Sequence, residues 1–308
     1  MTATTLLVGI DEAGYGPILG PLVVSAAAFE APAAEKNLAL WDILSRSVSR
    51  TRTARRGRVP ILDSKILYHG PDGLERLERS VLAVIGAWRG LPPSMHGLFS
   101  LLCPELIGRL REYPWYEDAD SALPTEADLF GIRVAARLLA QDLAAKSLRL
   151  AGGWAEVLPE GHYNRLVNRT QNKAVVLSDL TLRLIQRVSD TYPDRELRIC
   201  IDKQGGRAHY GAMLLRSFED RHLKVIEETD KHSAYELTGS RTQWRISFCQ
   251  SGESRMASMT TRRQTRLRPE ICVGRLPSGM SASMKSGCSS PHSHACIPPI
   301  EVPRMSRR

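Results

Sequence analysis

The chain has 308 residues, 43% of them hydrophobic, 24% charged and 6% aromatic. Those values exclude collagen-like, coiled-coil and wholly disordered chains, and they suit one large domain or two small ones. The formal charge of +9 is held unevenly: residues 256–308 carry nine Lys/Arg against two Asp/Glu, and the rest of the chain 33 against 31.

No run approaches the roughly 18–20 apolar residues that a bilayer span needs. The most apolar stretch, residues 17–29, is broken by Gly20, Pro21 and Ser25. The N-terminus lacks a basic lead, and Asp11 and Glu12 interrupt its apolar run, so no secretory signal is expected. The expectation is a cytoplasmic, monomeric protein with no membrane partner. Six scattered cysteines form no C-x-x-C pair. Cys272, Cys288 and Cys296 with His292 and His294 read as incidental composition, not as a zinc site.

In chain order, residues 5–10 read as a short buried strand that stops at Asp11. Residues 11–21 carry Gly14, Gly16, Gly20 and two prolines, which is turn chemistry. A second strand follows over 22–30, then a helix over 34–49 and a basic loop over 50–60. Residues 74–88 have helical apolar spacing. Residues 90–126, rich in proline and aromatics, read as irregular, and 127–150 as an amphipathic helix, giving a helical insertion near 90–160.

A single long helix is expected over 164–188, stopped by Pro193. A strand over 196–201 then delivers Asp202, a short helix spans 209–221, and a strand over 223–227 delivers Asp230. Helices between strands predict an α/β sheet. Beyond residue 255 apolar periodicity is lost and five of the eight methionines occur. Residues 1–255 thus read as the folded domain. Residues 256–308 read as a basic tail, disordered or translated in a shifted frame; a shifted frame would cost the fold its C-terminal helices.

Asp11 and Glu12, Asp202 and Asp230 all stand at predicted strand ends or turns. Gathered carboxylates repel one another, so a site that collects them commonly holds divalent cations through oxygen ligands. Two such ions can activate water and stabilise a leaving oxygen in phosphodiester hydrolysis. The competing reading is that any α/β protein has Asp at strand ends.

The string Gly9-Ile10-Asp11-Glu12-Ala13-Gly14-Tyr15-Gly16-Pro17, followed by Gly20-Pro21-Leu22-Val23-Val24, resembles the signature of type 2 ribonucleases H. Asp63-Ser64-Lys65 with Leu67 is similar to a second motif of that family, and 164–188, 199–202 and 225–230 follow in the family's order. The resemblance implies a ribonuclease H-like mixed sheet flanked by helices, with Asp11, Glu12, Asp202 and Asp230 as ligands of two Mg²⁺ or Mn²⁺ ions. It implies that Gly14, Tyr15 and Gly16 meet the sugar and phosphate at the cut, and that Lys65, beside Ser64, neutralises a phosphate. The implied activity is endonucleolytic cleavage of RNA in RNA–DNA hybrids, or at ribonucleotides within duplex DNA, leaving a 5′-phosphate and a 3′-hydroxyl.

Some positions depart from that pattern. Tyr15 replaces the usual Arg, which could have paired with phosphate in a bidentate way. Asp202 leads into Lys203-Gln204-Gly205-Gly206-Arg207, and Lys231-His232-Ser233-Ala234-Tyr235 follows Asp230. Lys203, Arg207, His209 and Tyr210 form a basic and aromatic group suited to a nucleic-acid backbone or to an ordinary polar loop. His232 reads as a proton carrier or a surface histidine. The alternatives to a ribonuclease H are a nuclease of the same fold acting on branched or single-stranded substrates, and a non-catalytic nucleic-acid-binding protein.

Overall fold

The computed structural model describes residues 4–13, 20–32, 40–52, 57–116, 120–204 and 207–249. Its first two strands, β1 (Thr4–Ala13) and β2 (Leu22–Pro32), pair antiparallel from Thr4 with Pro32 to Ala13 with Val23. Both are buried on both faces, which explains their nearly continuous apolar sequence. Leu6, Val8 and Ile10 enter one core, while Leu7 enters another with Phe29 and Ala31.

Between these strands and the rest of the sheet lie short pieces and helices. They are α1 (Leu40–Ile43), β3 (Val48–Ser49), β4 (Val59–Pro60), α2 (Ser64–Tyr68), α3 (Gly73–Arg89), α4 (Met95–Leu102), α5 (Glu105–Leu110) and α6 (Leu129–Ala145). A 3-10 turn, Pro114–Tyr116, follows α5. Then come β5 (Arg149–Leu158), α7 (Glu160–Thr170), α8 (Lys173–Thr191), β6 (Glu196–Asp202), α9 (Gly211–Ser217), β7 (His222–Glu228), β8 (His232–Thr238) and β9 (Gln243–Cys249).

The described residues form a seven-stranded mixed sheet in the order β5-β2-β1-β6-β9-β8-β7. β1, β6 and β9 run parallel, and β2, β5 and β8 run against their neighbours. On one face α8 buries Val176, Leu177, Leu180, Leu184, Ile185 and Val188 over the sheet centre. The other face is covered over β1, β2 and β5 by α3 and α6. Gly86 permits their close approach, since a Cβ there would lie 2.9 Å from Leu91 Cδ2 and 3.1 Å from Ala136 Cβ. The expected mixed α/β sheet flanked by helices is what the chain forms.

Several elements differ from the sequence reading. The stretch over 90–126 is not irregular: α4 and α5 lie in it and pack on Val23 and Ala155. The helix expected to reach residue 150 ends at Ala145, and Arg149–Leu158 is a strand of the main sheet. Part of the supposed insertion is therefore sheet. The long helix is two helices, because Gln171 adopts φ +53° and Asn172 then caps α8 through the Ala174 amide. The helix over 34–49 is reduced, within the described residues, to α1 with β3 behind it. The helix over 209–221 is confined to α9, and β8 and β9 were not anticipated. The tail over 256–308 lies outside the described residues.

Glu30 ties three chain segments together at the end of the sheet where β1 begins. Its carboxylate accepts from Thr4 Oγ1 at 2.8 Å and Arg149 Nε at 3.0 Å, and pairs with Arg195 Nη2 at 3.2 Å. The Arg149 hydrogen bond, with Thr4 and the two guanidinium charges, holds its pKa below the ordinary value against some desolvation. A depressed carboxylate pKa stabilises the fold above the unfolded-state value, and that stability is lost as pH falls through the folded-state value. Glu30→Gln is expected to cost about 1–2 kcal/mol at neutral pH. In urea unfolding over a pH series, the gap from the native protein should narrow as pH falls below the ordinary glutamate value of about 4.3 and vanish only below the lower folded-state value. A gap that stays constant with pH would deny the charge its role.

Candidate active site

The parallel pairing of β1 with β6 ends at Ile10 opposite Ile201, both in the core beneath α8. Side chains alternate along a strand, so Asp11 and Asp202, one residue further, occupy neighbouring positions on the opposite face. Asp11 is only 3% exposed. Register carries the row sideways: Ser25 lies opposite Asp11, Cys249 opposite Asp202, and His232 opposite Cys249. The row Ser25–Asp11–Asp202–Cys249–His232 thus crosses one end of the sheet on one face. Cys200 stands beside it, with its Sγ 4.0 Å from Cys249 Sγ.

Glu12 alternates to the α8 side. Its amide donates to Asp11 Oδ1 at 2.9 Å, and its charge helps raise the pKa of Tyr210, which burial raises most. Asp11 and Glu12 therefore flank β1, one on each face.

The loop after Asp202 is held from three directions. The Lys203 amide donates to the Cys249 carbonyl, and the Gln204 amide to the Tyr210 hydroxyl at 3.0 Å. Gln204 Nε2 donates to Thr181 Oγ1 on α8 at 2.7 Å, and Arg207 Nη1 to Ser178 Oγ at 3.0 Å. The Tyr210 ring stacks on Phe248 at 3.6 Å, and its amide donates to the Tyr235 hydroxyl at 2.8 Å. Tyr235 in turn donates to Glu228, which also meets His209 Nδ1 at 2.7 Å. The Tyr235 bond, then His209, lowers the Glu228 pKa.

The sequence-predicted residues divide accordingly. Asp11, Glu12 and Asp202 come together at one sheet end. Asp230 sits exposed on the turn between β7 and β8, beyond β9 and β8 from Asp202. Lys203 bridges this gap, its Nζ donating to the carbonyls of Thr229 and Asp230 at 2.7 and 2.8 Å. Lys203 and Arg207 thus brace the loop, and His232 Nδ1 faces Glu227 Oε2 at 3.0 Å. Gly14, Tyr15 and Gly16 lie outside the described residues.

Asp63 caps α2 by accepting from the Lys65 amide at 2.7 Å. That turn buries Ser64 and exposes Lys65. Ser64 and Ser25 line one apolar cavity of about 120 Å³, with Trp88 and Trp154 among its walls. Ser64 thereby shares a cavity with Ser25, the residue opposite Asp11 on β2. Sequence reasoning missed Ser25, Cys249, Tyr235 and Ser178. The period-two run Trp244, Ile246, Phe248 was the available signal for β9, and with it for Cys249.

Two adjacent carboxylates, with a third on the same strand, offer hard oxygen donors suited to Mg²⁺ or Mn²⁺. Among the described residues no three Asp, Glu, His or Cys side chains group closely enough to hold a metal ion. The proposed four-carboxylate set is thus not assembled as one cluster.

Tyr235→Phe should leave the buried Tyr210 amide without its acceptor and cost about 1–3 kcal/mol. Urea unfolding would register this as a lower midpoint at unchanged slope. Among known proteins, no family model and no solved structure matches this chain. Over 78 residues it is 35% identical to Ribonuclease HII of Gluconobacter oxydans (strain 621H). That match covers 25% of this chain and 38% of the other, so the chain spans about two fifths of this curated relative's length. The likeness is to a nuclease of the ribonuclease H-like group, over part of the chain.

Proposed function

We propose that the protein is a metal-dependent endonuclease that hydrolyses RNA in RNA–DNA hybrids, or at ribonucleotides embedded in duplex DNA. The observation that supports this reading is the parallel register of β1 and β6, which runs up to Ile10 opposite Ile201, the residues just before Asp11 and Asp202. The partial likeness to Ribonuclease HII supports it.

In this reading Asp11 and Asp202 hold Mg²⁺ or Mn²⁺, with Glu12 on the strand between the two faces. The ion, when bound, activates water and offsets charge on the leaving oxygen. The residues of the chain do the rest. Asp11 is fixed by the hydrogen bond from the Glu12 amide. Asp202 is followed by a segment that Gln204 and Arg207 anchor to α8 and Tyr210 links to Tyr235 on β8. Exposed Lys65 meets a backbone phosphate, and the segment Gly14-Tyr15-Gly16 meets the ribose, where the 2′-hydroxyl separates RNA from DNA. Asp230 belongs to the rim of the site, tethered through Lys203.

Labelled RNA–DNA hybrid, DNA with one ribonucleotide, and plain DNA would be incubated with Mg²⁺ or Mn²⁺. Cleavage is expected only where ribose is present. Asp11→Asn and Asp202→Asn should each reduce the rate at least about a thousandfold, or about 4 kcal/mol of transition-state stabilisation. Asp230→Asn should cost less than either. Cutting of plain DNA would replace the substrate assignment. Full activity in Asp202→Asn would overturn the site.

A further inference from the structure

A second charged site stands at the same end of the sheet and uses none of these carboxylates. β5 ends at Leu158, paired with Leu22, so the chain leaves it at the end where β1 delivers Asp11 and Glu12. α7 begins there, two strands from β1, or about 10 Å sideways. His162, in its first turn, lies within electrostatic reach of Arg165 on α7, Arg109 on α5 and Arg183 on α8. Partial burial, and after it these arginines, hold the His162 pKa below its ordinary value, and Glu112 opposes them.

The arrangement is built rather than incidental. The Tyr113 hydroxyl accepts from the His162 amide at 3.0 Å, and the Tyr116 hydroxyl donates to Glu160 Oε1 at 2.7 Å. Gly161 allows the Tyr113 ring to close on the helix start, since a Cβ there would lie 3.0 Å from it. These contacts hold the chain after α5 against the beginning of α7, where Arg165 reaches Glu112, so that Arg109 and Arg165 stand on adjoining segments.

Counter-charge is sparse. Among the described residues, neither Arg109 nor Arg183 has a carboxylate oxygen within 4.0 Å, and Arg165 reaches Glu112 only at 3.9 Å. One turn along α8 from Arg183, Arg187 is neutralised by Glu105 at 3.1 Å and Glu156 at 3.0 Å. Positive charge is therefore left in excess on these three arginines, with the Arg165 side chain 64% exposed.

We propose that Arg109, Arg165 and Arg183, assembled around His162, bind the phosphodiester backbone of the nucleic acid on the side of the site away from β9. This rests on the nuclease reading for its ligand. Guanidinium groups suit phosphate because their donors match two oxygens at once. Such contacts are independent of sequence and displace counterions, so they leave a signature in the salt dependence of binding.

The test is fluorescence anisotropy with a labelled RNA–DNA hybrid and a plain DNA duplex in EDTA, so that nothing is cut. The full chain is compared with Arg109→Gln/Arg165→Gln/Arg183→Gln and with a control of equal charge loss, Arg133→Gln/Arg137→Gln/Lys146→Gln on and after α6. The first triple variant should bind both duplexes about ten- to a hundredfold more weakly at 0.1 M salt, with the log–log salt slope shallower by about two. The control should match the native chain, and superimposable melting curves would show that all three proteins are folded. Unchanged affinity and slope in the first variant would overturn the arginine site while leaving the nuclease reading intact. Arginine-dependent binding by a protein that cleaves nothing would keep the site and overturn the nuclease. Absence of binding by the native chain would overturn both.

Discussion

The parallel pairing of β1 with β6 is the constraint on which the site depends. It sets Ile10 opposite Ile201, and the alternation of side chains sends the next residues, Asp11 and Asp202, to the same face. A slip of one residue would turn one carboxylate into the core beneath α8 and an isoleucine towards the site. The cores on both faces forbid that slip, because Ile10 and Ile201 are each 1% exposed. The apolar residues that stabilise the sheet also aim the two acids. In that sense core packing and site geometry are one property of the sequence.

Placing two acids side by side works against stability, and the surrounding structure shows how they are kept in position. The loop beyond Asp202 is anchored to α8 by Gln204 and Arg207 and to β8 through Tyr210 and Tyr235. These are polar contacts among buried or half-buried groups, where unmatched donors are costly and matched ones fix geometry. The arrangement explains the departure of 203–207 from a simple glycine turn. Lys203 and Arg207 are basic residues whose donors are taken up by the protein itself, Lys203 by carbonyls of the turn after β7 and Arg207 by Ser178.

The opening of the chain was largely legible in the sequence. The apolar run before Asp11 and the strand of 22–30 were readable because a strand buried on both faces has little polar interruption. Asp202 was legible for the same reason. The errors have specific causes. Gly152 and Gly153 weaken any strand pattern in 149–158, and the preceding amphipathic helix extends naturally into it. The break at Gln171 depends on one left-handed residue, which apolar periodicity does not register. Asp230 was readable as the residue after a strand. That this strand is the edge β7, with β8 and β9 between it and β6, is a matter of long-range pairing.

The charge distribution makes a final argument about how a nearly neutral body would hold a polyanion. Outside 256–308 the basic excess is only two, so attraction cannot come from net charge and has to come from segregation. The described residues are segregated in this way. Acids occupy the row through Asp11 and Asp202, Lys65 is exposed on α2, and the arginines around His162 lie at the end of β5. The segment containing α4 and α5, which reads as an insertion along the chain, acquires a place in this scheme. Its apolar side packs on β2 and β5, and its Tyr113 and Tyr116 fix the helix start that carries His162. In the proposed reading, a polyanion spanning that end of the sheet would meet fixed cations beside the carboxylates.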